Sequence, residues 1–137
     1  KTLSEKDIID NSKVIKNKVS KDLYADIKPL AMKRALLNII SNAISYSKNT
    51  VEIYSVQNIN YLNIIVEDDG KGIPKNKREE VFKAFYRIDE ARQSSSANTG
   101  LGLTIAKDII QSHGGRIILN SSILGGLKVE ITLPTKV

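Results

Sequence analysis

The stretch Tyr61-Leu-Asn-Ile-Ile-Val-Glu-Asp68-Asp-Gly70-Lys-Gly72-Ile-Pro74 decides how this chain is read. Its first six residues, Tyr61 to Val66, have the apolar and β-branched character of a strand. Val51 to Val56 has the same character, and the polar Asn58-Ile-Asn60 between them predicts a hairpin. The second strand then runs through Ile64-Ile-Val-Glu67 into Asp68. A carboxylate at the end of a buried strand accepts a hydrogen bond from an exocyclic amine; adenine offers one where guanine presents a carbonyl, so the carboxylate selects adenine. Gly70 and Gly72 let the backbone turn tightly and come close to a base. Standing alone, Asp-Asp-Gly-Lys-Gly is a common surface turn. Its place after a strand, and downstream of a helix bearing two amides, makes it a candidate site.

That helix is expected to start at Pro29, a residue suited to a first helical turn. Leu30, Met32, Ala35, Leu36, Ile39, Ile40, Ala43 and Ile44 form a broad apolar stripe at helical spacing. Ahead of it, Ser4 to about Asn17 is loosely helical in pattern, with Ser4 as N-cap, and Val19, Leu23, Tyr24 and Ile27 read as a short extended segment. A short helix is expected after Pro74, carrying Val81 and Phe82. Gln93 to Thr99 is polar and too poor in apolar side chains to offset its ordering entropy, so a mobile loop is expected there. A helix from Gly102 to about Ser112 follows, closed by Gly114-Gly115. Arg116–Asn120 and Leu127–Leu133 read as a last antiparallel pair, with Gly125-Gly126 in the turn. Helices gathered on one face of a mixed sheet give a two-layer α/β sandwich.

With 137 residues, 41% of them apolar and 26% charged, the chain has the size and composition of one folded domain. No apolar run approaches the roughly 20 residues that span a bilayer, and the charge-studded first 17 residues do not resemble a signal peptide. Lys rather than Met at position 1 leads us to expect a longer parent protein. The absence of cysteine rules out disulfides and thiolate metal sites and fits a reducing compartment. The formal net charge is +6, yet there is no tryptophan and no pattern of basic and aromatic residues for stacking bases, which argues against nucleic acid as a partner.

Three further motifs carry chemistry. Asn38 and Asn42, four apart, share one face of the first long helix. Amide oxygens are hard, neutral ligands suited to Mg²⁺, which keeps several waters and takes other ligands from phosphates. Phe82 and Phe85 are the only phenylalanines, at a spacing that also suits core packing; Arg87 follows, a cation able to neutralise phosphate charge. Thr99-Gly100-Leu101-Gly102-Leu103 opens the next helix, where glycines let backbone amides crowd a phosphate and the helix N-terminus favours negative charge. It is neither a Walker loop nor a dinucleotide fingerprint.

In this order and spacing the four motifs resemble those of the ATP-binding catalytic domain of bacterial sensor histidine kinases, from about Ala25 to Pro134. The resemblance implies the Bergerat (GHKL) fold, a mixed, mostly antiparallel sheet covered on one face by helices. It implies ATP and Mg²⁺ as cofactors, Asn42 as metal ligand, and Asp68 rather than Asp69 at the adenine amine. The implied nucleotide-binding set is Asn38, Asn42, Tyr46, Asp68, Gly70, Gly72, Ile73, Phe85, Thr99, Gly100, Leu101, Gly102 and Leu103. Asn38 and Arg87 are the implied catalytic residues, Asn38 placing phosphates and metal waters. The chain departs from the family at Ser45, where many members have a phosphate-reaching Lys; Lys48 is the nearest substitute.

The resemblance also implies that the phosphoacceptor histidine lies on a separate dimerisation domain of the same parent, upstream of Lys1. His113, the single histidine, sits in Ser112-His113-Gly114-Gly115 at a helix end and is expected to be structural. Residues 1–17 would then follow the missing helices and 18–137 form the ATP-binding domain. A response regulator would be the downstream partner. This fragment would be monomeric, its parent a homodimer anchored in the bacterial cell membrane with this domain in the cytoplasm. Two relatives of the same fold remain as alternatives. Conformational ATPases place a general-base Glu where this chain has Asn38, and an amide cannot take a proton from water. An anti-sigma-type serine kinase or protein-binding module is the other, and a scaffold that has lost its nucleotide is a third alternative.

Overall fold

The computed structural model describes residues 13–19, 25, 27–82 and 102–135. Within them the chain runs β1 (Val14–Lys18), α1 (Pro29–Tyr46), β2 (Thr50–Gln57), β3 (Tyr61–Asp68), two single 3-10 turns at Lys75–Lys77 and Glu80–Phe82, α2 (Gly102–Ser112), β4 (Arg116–Ser121) and β5 (Leu127–Pro134). The five strands form one sheet in the order β1-β2-β3-β5-β4. β1 pairs parallel to β2, and all other pairs are antiparallel.

Strand periodicity puts alternate residues on opposite faces. One face carries Val51, Ile53, Leu62, Ile64, Val66, Val129, Ile131, Leu133, Ile117 and Leu119, all buried. Against it lie Met32, Ala35, Leu36, Ile39, Ile40 and Ala43 of α1 and Leu103, Ala106 and Ile110 of α2, the apolar stripes of two amphipathic helices that also pack on each other. The result is the expected two-layer α/β sandwich. The opposite sheet face carries Glu52, Tyr54, Lys128 and Glu130, and there Lys18 pairs with Glu52 at 3.2 Å.

Two expectations change. Val14–Lys18 is a strand, not the end of a helix running to Asn17. Helical spacing among charges was too weak a signal to compete with the open edge of β2, which supplies a full ladder of partners from Val14↔Thr50 to Lys18↔Tyr54. Residues 14–17 therefore belong to the sheet. After Pro74 the expected short helix is two separate 3-10 turns. The Ser4 cap, Leu23, Tyr24 and the polar loop Gln93–Thr99 lie outside the described residues.

α1 begins with Pro29 in its first turn and has no basic residue in its last. A cation from elsewhere takes that place. The Lys13 ammonium donates to the carbonyl oxygens of Ile44 and, at 2.9 Å, Ser47, covering carbonyls that the helix leaves unpaired at its negative end. His113 holds the other end. Its Nε2 accepts the Lys28 N–H at 3.0 Å, and its Nδ1 donates to the Ile109 carbonyl at 2.7 Å. Those two roles fit a neutral ring protonated at Nδ1, which ties the close of α2 to the start of α1.

Candidate functional site

The site is assembled where β3 ends. Asp68 is its last residue, faces the helix layer and is 3% exposed. Its Oδ1 accepts backbone N–H groups from both directions, Gly70 at 2.9 Å and Leu127 at 3.3 Å, and its carbonyl accepts the Gly126 N–H at 3.1 Å. Burial pushes the Asp68 carboxyl above its ordinary range. The two N–H donors and the charge of Lys13 act in the opposite direction, while neighbouring Asp69 adds to the rise. An ionised carboxylate there is short of water and correspondingly hungry for a donor.

Two glycines, Gly70 and Gly126, crowd this carboxylate, and a third packs behind them. A Cβ on Gly126 would fall 2.1 Å from Asp68 Oδ1, and one on Gly70 would fall 2.2 Å from the Tyr46 carbonyl oxygen. Gly72 has φ +70°, and a Cβ there would fall 3.2 Å from the Gly126 carbonyl oxygen. Any side chain at Gly70 or Gly126 would therefore push apart the end of α1, the Asp68 turn and the β4–β5 turn. From sequence Gly126 reads only as part of a hairpin turn; the second glycine of Gly125-Gly126 is the one local signal of a close approach.

Asp69 has a different task. Its carboxylate accepts the N–H groups of Lys48 (2.8 Å) and Asn49 (3.1 Å), fastening the chain just beyond α1 to the Asp68 turn. Burial alone would raise its carboxyl; backbone N–H donation from this loop outweighs that and holds it below the ordinary range. The two neighbouring aspartates are thus separated by environment, one capped by the loop and the other buried at the strand end. Lys48 itself is exposed and contributes its backbone to this cap.

The helix α1 carries Asn38, Asn42 and Tyr46, all half-buried and on one face. The Tyr46 backbone carbonyl lies against Gly70, so the C-terminal end of this helix meets the strand end that bears Asp68. Ile73, Val81 and Leu103 are all buried in the same core, and Leu103 lies on the first turn of α2, which starts at Gly102. Phe82 is held by Thr104, whose hydroxyl donates to its carbonyl at 2.6 Å, and by the Lys107 ammonium 4.6 Å above its ring. Phe85, Arg87, Thr99, Gly100 and Leu101 lie outside the described residues. Among the described residues no cluster of three or more His, Asp and Glu could hold a metal by itself. The donors at hand, neutral amides on one helix face, fit an ion that arrives with phosphate ligands of its own.

Comparison with known proteins places this geometry in a family. Residues 27–137 match the model of the histidine kinase-, DNA gyrase B- and HSP90-like ATPases. The chain is 41% identical over 122 residues to the sensor protein kinase WalK of Staphylococcus haemolyticus, covering 86% of this chain and 20% of that protein. It is 43% identical over 106 residues to the sensor histidine kinase CpxA of Escherichia coli, covering 77% of this chain and 23% of that protein. It therefore spans about a fifth of the length of these relatives. Among solved structures it superposes on the mycobacterial sensor histidine kinase MprB with a TM-score of 0.74 at 26% identity, over 89% of this chain and 83% of that one. The histidine kinase domain of the E. coli osmosensor EnvZ gives a TM-score of 0.68 at 34% identity, over 93% and 79%. A buried strand-end aspartate in a glycine cradle, set against an asparagine-bearing helix, is here found in a chain that belongs to the histidine kinase-, DNA gyrase B- and HSP90-like ATPase family, as an ATP-binding catalytic domain of the sensor histidine kinase type.

Proposed function

We propose that this domain binds ATP with Mg²⁺ and presents the γ-phosphoryl group to a histidine on a separate helical dimerisation domain of the same parent protein. A response regulator then receives the phosphoryl group. The observation that carries the reading is Asp68, buried at the strand end with Oδ1 already committed to two N–H donors. In this reading Oδ2 accepts the exocyclic amine of adenine, and a guanine carbonyl at the same place would face a carboxylate and be rejected. Ile73 and Leu103 supply apolar wall; Gly70 and Gly72 allow the backbone to approach the base.

On α1, the Asn42 side-chain oxygen is the protein's metal ligand, and Asn38, one turn away, orients phosphate and metal-bound water. Magnesium, when bound, offsets charge on the phosphate oxygens. The N-terminal amides of α2, beginning at Gly102, are the proposed phosphate donors, with Thr99, Gly100, Leu101, Tyr46 and Phe85 assigned to the nucleotide on the motif resemblance. Arg87 steadies charge as the bond from γ-phosphorus to the attacking imidazole nitrogen forms and the bond to the β-phosphate oxygen breaks. The domain's contribution is positioning and charge stabilisation, with little covalent chemistry of its own. Asn38 in the place of a general-base Glu favours transfer over hydrolysis, because an amide cannot accept a proton from water.

The wider setting belongs to the same proposal: a cytoplasmic domain, monomeric alone, in a homodimeric parent anchored in the cell membrane. Among the described residues no helix is long and apolar enough to cross a membrane. Calorimetric titration of the chain with ATP and with GTP, each with and without Mg²⁺, tests the core of the proposal. Saturable, ATP-selective binding that Mg²⁺ modifies is expected; no saturation at millimolar ATP would defeat it and favour a protein-binding module.

A further inference from the structure

Glu67 and Asp68 are consecutive in β3, so their side chains leave the strand on opposite faces. Asp68 enters the site. Glu67 points to the other side of the sheet and is nevertheless only 6% exposed. A buried carboxylate needs donors, and Glu67 has two hydroxyls. Tyr54 donates to its Oε2, and Ser122 donates to its Oε1 at 2.7 Å.

Ser122, 9% exposed, is the hub of the β4–β5 turn. Its N–H donates to the Gly126 carbonyl at 2.9 Å, its carbonyl accepts the Gly125 N–H at 3.0 Å, and its Oγ accepts the Leu124 N–H at 3.0 Å. This same turn delivers the Gly126 and Leu127 N–H groups to Asp68. The turn therefore grips the end of β3 from both sides, on Glu67 behind the sheet and on Asp68 in front of it. The Leu127 bond, at 3.3 Å, lies at the long end of N–H···O distances, so a shift of a few tenths of an ångström would lose it. Gly126 has no room to move toward Asp68, since even a Cβ would overlap Oδ1.

We infer that Ser122, anchored by Glu67, is a positioning residue that fixes the orientation of the Asp68 carboxylate toward its ligand. The inference rests on the reading of Asp68 as the adenine acceptor. Loss of the Ser122 hydroxyl releases the turn, frees Oδ1 from Leu127 and lets the carboxylate rotate away from the pose that meets an amine.

The test is a double-mutant cycle in the 137-residue chain, read as ATP dissociation constants by calorimetry. Ser122→Ala is expected to weaken ATP binding about fivefold to tenfold, the scale of one hydrogen bond. Ser122→Thr, which keeps the hydroxyl, should stay within about twofold of the parent chain on the same scale. In an Asp68→Asn background, Ser122→Ala should cost nothing further, because its effect passes through the carboxylate. Amide NMR signals of Gly126 and Leu127 should move in Ser122→Ala and return in Ser122→Thr. Ser122→Cys, slightly larger and with a weaker donor, repeats the test without emptying the position should the alanine variant not fold. Unchanged affinity in Ser122→Ala alongside weakened binding in Asp68→Asn overturns the inference alone. So does an equal loss in both backgrounds. Unchanged affinity in Asp68→Asn overturns the adenine reading itself, and the inference with it.

Discussion

Replacing Asp68 by Asn separates recognition from folding at this site. The amide keeps an Oδ1 that can accept the Gly70 and Leu127 N–H groups, so the turn loses no backbone partner. It also removes a charge whose burial holds the Asp68 carboxyl above its ordinary range. A carboxyl with a raised folded pKa is penalised when ionised, so at neutral pH it costs stability that the neutral amide does not. The melting temperature of Asp68→Asn at neutral pH should therefore equal or exceed that of the parent chain. Nucleotide binding should move the other way. The amide presents an N–H₂ donor to the amine of adenine, and a hydrogen bond to a charged acceptor is worth about 1.5–3 kcal/mol, so ATP affinity should fall roughly tenfold to a hundredfold. Inosine triphosphate, with a carbonyl in place of the amine, should lose far less or gain. Calorimetry with both nucleotides, beside thermal melting, reads all three quantities. Parent-like ATP affinity would refute the placement of adenine at Asp68. A fall in affinity with a matching fall in melting temperature would refute the separation of recognition from folding.

Three other outcomes follow from the geometry. Asn42→Ala should abolish the Mg²⁺ dependence of ATP binding with the fold intact; persistence of that dependence in calorimetry would move the metal ligand elsewhere. Asp69→Ala should loosen the junction of α1 and β2 by about 1 kcal/mol, the net scale of a single hydrogen bond, measured by urea unfolding. Because the Asp69 carboxyl is held low, its contribution is present above the ordinary carboxyl value of 3.8 and is lost as pH falls below it; a parent–variant difference that persisted unchanged at strongly acid pH would contradict that assignment. Tyr54, pushed up to about 12 by burial, by donation to Glu67 and by the negative charge of Glu67, Glu130 and Glu52, should ionise only beyond the ordinary tyrosine range. A raised phenol pKa contributes stability below the unfolded value of 10.0 and loses it toward about 12. Ultraviolet titration of the parent chain against Tyr54→Phe checks it, and a Tyr54 that titrates with the free phenols would sink the buried network.

Much of the fold was readable because its signals are local. The hairpin of β2 and β3 announced itself by β-branched runs around a polar turn, and α1 and α2 by apolar positions at helical spacing, with Pro29 in the first turn and Gly114-Gly115 beyond the last. The strand β1 was not readable. Its apolar residues are sparse, and its conformation follows from pairing with β2, more than thirty residues downstream, as Val14↔Thr50 shows. The 3-10 turns after Pro74 were likewise beyond a periodicity argument, since three residues hold no period.

The site divides along the same line. The sequence by itself determined a carboxylate at a strand end, two glycines after it, and two amides one turn apart on a helix, because each follows from neighbours in the chain. Only the tertiary structure decided that Gly126 closes over Asp68, that Lys13 caps α1, that Asp69 fastens the loop beyond that helix, and that Ser122 and Glu67 brace the turn from behind. Those contacts join residues 34 apart for Lys13 and Ser47, 55 for Glu67 and Ser122, and 59 for Asp68 and Leu127. Separations of that size carry no periodic signature; they exist because a twisted sheet and two packed helices bring distant backbone N–H and C=O groups to one place, where burial obliges each to find a partner.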